Sequence, residues 1–151
     1  MSAPSEPDAQ ALAERVAVEM FAADRASQAL GMRVETVGPG RATVTMTVRD
    51  DMVNGHATCH GGIIFLLADS TFAFACNSYN RKTVAQGCSI EYLAPAHAGD
   101  VLRASGVERS RSGRTGVYDI EVRDQHERVV ALFRGKSYRI DGHVVPEVTQ
   151  G

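Results

Sequence analysis

Several common routes to function are missing from this sequence of 151 residues. Its three cysteines, Cys59, Cys76 and Cys88, form no CxxC pair. An odd, unpaired set argues against a disulfide scaffold and reads as a reduced, intracellular chain. No run of five like charges occurs, and 16 basic against 18 acidic residues leave a net charge of −2. That balance gives no bias toward nucleic acid or an anionic membrane, so neither is expected as a partner. The longest apolar stretch, Ile63 to Ala68, is far too short to span a bilayer. The first eight residues, Met1 to Asp8, hold neither a basic n-region nor an apolar h-region, which makes a soluble, unexported, cytoplasmic protein the expectation. Repeats, heptads and low-complexity segments are also missing.

What is present fits one domain with a core large enough to stand without disulfides or metals. Residues 1–8 are polar, hold two of the five prolines and read as a flexible tail. The domain is expected over 9–142, with a second flexible tail at 143–151. From Asp8 to about Leu30, apolar Leu12, Val16, Met20 and Ala23 at helical spacing predict one outer helix, stopped by Gly31. Met32 to Val37 and Ala42 to Val48, around Gly38-Pro39-Gly40, read as a hairpin. A long apolar helix follows at about Gly61 to Asn77. Four more strands are expected near Thr83 to Leu93, Asp100 to Ser110, Thr115 to Arg123 and Arg128 to Ile140. Short connections favour antiparallel neighbours, giving an α+β domain. The apolar helix must be covered by the sheet and by something else.

The most informative block runs from Asn54 through His60-Gly61-Gly62 to Asp69. Gly61 and Gly62 open a helix whose first N–H groups have no intrahelical partner, a ready site for an anion or a polarised carbonyl oxygen. Eight residues on, Asp69 interrupts a run that is otherwise apolar through Ala75 apart from Ser70 and Thr71. Burial raises a carboxyl pKa and tunes it toward general-base or nucleophilic work. The alternative is that Asp69 caps or pairs with a neighbour, or lies on a small wet stripe with Ser70 and Asn77. Cys59-His60 admits a thiolate and base reading, and His56-x-x-Cys59-His60 faintly resembles metal spacing. Adjacent side chains rarely aim at each other, however, and no second ligand cluster exists, so no metal is expected. His60 either transfers protons directly or fixes the loop through a ring N–H bond to backbone.

Residues 20–142 resemble the hotdog-fold acyl-CoA thioesterases, and within them the phenylacetic acid degradation (PaaI-type) thioesterases. The resemblance is carried by Asn54-Gly55-His56, Cys59-His60-Gly61-Gly62, Leu67 to Ala73, Tyr92-Leu93-Ala94-Pro95, Gly99-Asp100 and Gly113 to Asp119. An acid nine residues after the His of HGG and an Asn six before it make the match specific. It implies a hotdog fold: a long central helix wrapped by an antiparallel sheet, here with an extra N-terminal helix. It also implies a homodimer whose two sheets become continuous, with a dimer of dimers, a homotetramer, beyond it. Asp69 matches the general base or nucleophile, Gly61 offers its N–H to the thioester oxygen, and Asn54 helps hold the attacking water. The serine some relatives place on the following strand aligns with Ala85, leaving Ser89, Thr71 or a backbone group to orient water.

The implied reaction is hydrolysis of phenylacetyl-CoA or hydroxyphenylacetyl-CoA to free acid and CoA in phenylacetate catabolism, with no cofactor beyond the coenzyme A of the substrate. Gly62, Thr71, Phe72, Arg111 and Arg114 are the expected substrate contacts. Of these, Arg114 matches a basic turn position that contacts the nucleotide in relatives, and the alternating Arg134, Lys136 and Arg139 are further basic candidates. The acyl pocket is expected among Phe65, Phe72 and Phe74. Helix rise sets one constraint. Eight residues at about 1.5 Å each separate Gly61 from Asp69 by about 12 Å, too far for both to act on one carbonyl, so two subunits must share each site. A hotdog hydratase or dehydratase and a non-catalytic acyl-CoA-binding module are the alternatives.

Overall fold

A computed structural model describes residues 5–147; the remainder of the two expected tails lies outside the described residues. The element order is α1 (Glu6–Ala23), α2 (Arg25–Ala29), β1 (Arg33–Gly38), β2 (Arg41–Thr47), α3 (Gly61–Cys76), β3 (Thr83–Tyr92), β4 (Val101–Ser112), β5 (Thr115–Arg123) and β6 (Val129–Arg139). The six strands form one sheet in the order β1-β2-β4-β5-β6-β3, antiparallel at every pairing. α3 packs across it against all six strands, and α1 packs chiefly on β1, with both α1 and α2 also touching α3. This is the expected hotdog arrangement with an added N-terminal helical segment.

That segment departs from expectation in one respect: it is two helices. At Asp24 the backbone leaves helical geometry (φ −89°, ψ 84°), and its carboxylate accepts from Ser27 N at 3.0 Å and Ser27 Oγ at 2.6 Å. A short acid that bonds the backbone three residues on starts a new helix in place of continuing the old one. The buried face of α1 is Ala13, Val16 and Ala17 with Met20 and Phe21 beside it; Ala23 is exposed. Gly31, at φ +69°, closes α2 in a conformation that disfavours any side chain.

The core lies between α3 and the sheet, where Leu67, Phe72 and Phe74 meet Met46, Leu102, Tyr118 and Ile120. Strand β5 alternates half-buried and buried residues without a break, as a strand with one face on a core should. Gly135 on β6 has no side chain because Phe72 occupies its place: a Cβ there would sit 2.8 Å from the ring. Strand β3 is different. It lies at the sheet edge, and eight of its ten residues are exposed, on both faces.

The boundaries of the expected tails also shift. Helix α1 already begins at Glu6. At the other end, Val145 is buried, and the Asn80 side chain clamps its backbone, donating to Val145 O at 2.9 Å and accepting from Val145 N at 2.8 Å. The segment is therefore anchored on the domain at Val145, because one buried amide satisfies both backbone polar groups of that residue, while Pro146 and Glu147 stay exposed.

Candidate functional site

The loop ahead of α3 is built around one side chain. Asn54 Oδ1 accepts from His56 N at 2.9 Å, Thr58 N at 3.2 Å and Thr58 Oγ1 at 3.2 Å, while Asn54 N donates to Thr58 O at 2.8 Å. An Asn oxygen that accepts from backbone a few residues on holds a tight turn. The amide NH2 of Asn54 makes no hydrogen bond among the described residues and stays available to a ligand. Cys59 N bonds Ala96 O and His60 N bonds Met52 O, which fixes the entry into α3.

His60 caps the helix: its Nδ1 accepts the Gly62 N–H at 3.1 Å. This is the loop-fixing reading of His60 with the direction of the bond reversed. The ring accepts from backbone where a donor was expected, and with Nδ1 unprotonated its proton resides on Nε2. The N–H of Gly62 is thereby taken and is not free to bind substrate. Gly61, one residue earlier, is at the first helical position, where N–H groups point out of the helix unpaired. Tyr92 lies over it, with its hydroxyl donating to Gly61 O at 2.8 Å. The sequence offered no signal for Tyr92 beyond its place in a matching segment.

Asp69 lies halfway along α3 and is half-buried. Desolvation by burial raises its pKa, and the negative charge of Asp24 raises it further; no donor offsets them. Its other titratable neighbours are Cys76 on α3 and Cys88 on β3, whose thiols burial also pushes up. A carboxylate with raised basicity and no hydrogen-bond partner is equipped to take a proton from water or to attack an electrophile. Gly62, Leu66, Asp69 and Ala73, three or four residues apart, are the incompletely buried positions of one stripe along α3. This stripe and the bare face of β3 form a continuous uncovered region.

The remaining expected residues divide. Thr71 is fully buried, its hydroxyl donating to Leu67 O at 2.8 Å, and Phe72 is 1% exposed, so neither reaches a ligand. Phe74 is equally buried and belongs to the core, whereas Phe65, packed edge-on against Phe133 at 5.2 Å, is only partly buried. Ser89 pairs with Arg134 on the outer face of the sheet and cannot serve Asp69, whereas Cys88, opposite Gly135, shares the inner face. Burial pushes the Cys59 thiol up to about 11, which with the Nδ1 bond of His60 ends the thiolate reading. No cluster of three or more metal-ligating side chains occurs among the described residues.

Arg111 and Arg114 do come together. With Arg81 and Arg139 they line a cavity of about 330 Å³ beside the C-terminal end of α3. The Arg111 guanidinium stacks 3.6 Å over the Tyr79 ring, and Arg114 donates to Arg139 O at 3.0 Å. Four guanidinium groups around one hollow suit a phosphate-bearing ligand. Arg109 and Arg134 belong elsewhere, both paired with Asp119 on the outer sheet face.

The thioesterase superfamily is matched over residues 56–131. The acyl-coenzyme A thioesterase PaaI of Escherichia coli (strain K12) is 48% identical over 128 residues, covering 85% of this chain and 91% of that protein.

The chain belongs to the thioesterase superfamily.

The solved structure of the E. coli PaaI protein from the phenylacetic acid degradation operon superposes on this thioesterase with a TM-score of 0.88 at 47% identity, covering 89% of this chain and 97% of that one. A Streptococcus mutans UA159 protein solved bound to acetyl CoA superposes with a TM-score of 0.72 at 27% identity, covering 74% and 90%. In this thioesterase, Gly61 and Asp69 fall within the matched residues, and Asn54 lies two residues before them.

Proposed function

We propose that this thioesterase hydrolyses phenylacetyl-CoA or a hydroxylated phenylacetyl-CoA to free acid and CoA, in sites shared between the two subunits of a homodimer. The reading is supported chiefly by one observation: Asp69, basic and unpartnered, lies on the uncovered stripe of α3, about two helical turns from the unpaired N–H of Gly61. A single chain cannot bring both to one carbonyl. A second copy placed antiparallel along the stripe, edge to edge at β3, does so twice by symmetry.

In each site Gly61 of one subunit gives its N–H to the thioester oxygen, where negative charge develops, and Asn54 holds water through its amide. Asp69 of the partner subunit takes the proton of that water or attacks the carbonyl itself. His60 keeps the helix start in place with Nδ1 engaged by the Gly62 N–H, which weighs against that nitrogen as the base of a hydratase. Arg111 and Arg114 receive the phosphates of coenzyme A, the group carried by the acetyl CoA of the S. mutans relative. The outer sheet face, where Val107 and Leu132 are half-exposed in a hollow of about 740 Å³, joins two dimers into a tetramer. With free cysteines only, the protein works in the reducing cytoplasm without metal or redox cofactor.

The test is release of CoA from a panel of acyl-CoAs by the wild type and by Asp69→Asn. Loss of turnover with retained fold is expected; undiminished release by the variant removes the reading. Mixing Asp69→Ala with Asn54→Ala subunits, each inactive alone, should restore activity in the hybrids. Hybrids that stay inactive refute the shared site.

A further inference from the structure

With Phe72 and Phe74 in the core, the acyl group needs another place, and a second cavity supplies one. It has a volume of about 300 Å³ and is lined by Thr58, Cys59, Gly61, Ile64, Tyr92 and Pro95 among others, none of them charged. Burial keeps the Cys59 thiol protonated, so that wall is apolar in chemistry too. Gly61 belongs to the lining, so an acyl chain whose carbonyl oxygen meets the Gly61 N–H starts at the mouth of this cavity.

Tyr92 decides how large the cavity is. It ends β3 and is 51% exposed, a position where a ring would ordinarily swing freely. Here its hydroxyl is tied to Gly61 O at 2.8 Å, and the ring lies so close that a Cβ on residue 61 would be 3.1 Å from Cζ. Small-molecule sites span about 300–1,000 Å³, so this hollow, open to solvent on one side, holds one compact group against the Tyr92 ring. A flat aryl group would also find the Tyr92 ring as a stacking or edge partner.

We propose that Tyr92 determines the acyl specificity of this thioesterase, its tethered ring closing the cavity beside Gly61 to a compact, planar acyl group. The inference rests on the reading that Gly61 receives the thioester oxygen.

The experiment compares kcat/KM for phenylacetyl-CoA and decanoyl-CoA in full-length wild type, Tyr92→Phe and Tyr92→Ala, with circular dichroism and melting as checks of fold. The wild type should prefer phenylacetyl-CoA. Tyr92→Ala should move the decanoyl-to-phenylacetyl ratio upward by about tenfold or more, the scale of discrimination a hydrophobic pocket achieves. Tyr92→Phe, which keeps the ring, should move it less. An unmoved ratio in Tyr92→Ala, or a wild type that already favours decanoyl-CoA, overturns the proposal. If the alanine variant does not fold, Tyr92→Leu gives the same reading. Asp69→Asn run alongside separates the two claims. Turnover surviving in that variant removes the reading of the site, whereas a dead Asp69→Asn with an unmoved ratio removes only the role of Tyr92.

Discussion

Asp69 and its two neighbours on α3, Ser70 and Thr71, are three consecutive polar residues in an apolar helix, and the structure treats them in opposite ways. Thr71 is sealed in the core with its hydroxyl returned to Leu67 O. Ser70 is buried and shares a 2.7 Å hydrogen bond with Ser27, which in turn donates to Asp24. Asp69 receives nothing from the described residues, and burial and the Asp24 charge leave it with a raised pKa. Buried polar groups are normally satisfied, and the exceptions concentrate where chemistry is done. The comparison teaches that polarity inside a helix is no pointer to function until the partners are known.

The sharpest way to break the contrast is to neutralise Asp69. Turnover by Asp69→Asn is expected to fall about 10²- to 10⁴-fold, the usual contribution of a general base, measured as CoA release. A variant as active as the wild type would put Asp69 in the class of Ser70.

Asp69 works ionised, so its raised pKa places the acid limb of the wild-type kcat/KM profile above the ordinary carboxylate range. Asp24→Asn removes the charge that helps raise it, and the limb should move to lower pH; a limb that stays put denies that the two acids interact. Stability follows the same shift with a definite sign. The folded state holds the Asp69 proton to higher pH than the unfolded chain does. Its contribution is therefore fully present below the unfolded pKa and is lost as pH rises through the folded one. At neutral pH Asp69→Asn should therefore melt above the wild type, and the two should converge in acid. Equal melting at neutral pH would mean that the carboxylate costs the fold nothing.

The neighbours should show smaller effects of the other kind. Ser70→Ala breaks a buried hydrogen bond and should cost about 1 kcal/mol, or about 2–4 °C in Tm for a chain of this size, with kcat little changed. Thr71→Val loses only a bond back to its own helix and should cost less. A large drop in kcat for Thr71→Val would restore Thr71 to the site.

Much of this molecule is legible in its sequence because periodicity and local turn chemistry are local signals. The expected central helix at Gly61 to Asn77 ends one residue from α3, and all six strands fall where alternation and turns placed them. The thioesterase superfamily match covers Gly61 and Asp69 of the resembling block, and Asn54 lies two residues before it. What failed depended on contacts across the chain. The break at Asp24 comes from a carboxylate that bonds Ser27, which in turn meets Ser70 on α3. The phenylalanines of α3 look the same in sequence whether they line a pocket or fill a core, and only packing, of Phe72 against Tyr118 and Phe133 and of Phe74 against Phe21, assigned those two to the core.

The sequence by itself therefore determined the order of elements, the helix that begins at Gly61 and the presence of an acid two turns along it. Those follow from spacing, rise and the unpaired N–H groups at a helix start, which need no neighbours. Tertiary structure alone decided that Asp69 has no partner among the described residues while Ser70 meets Ser27, and that Tyr92 stands over Gly61. Hydrogen-bond satisfaction and burial are properties of what packs against a residue, and residues 31 positions apart, as Gly61 and Tyr92 are, meet only in the folded chain.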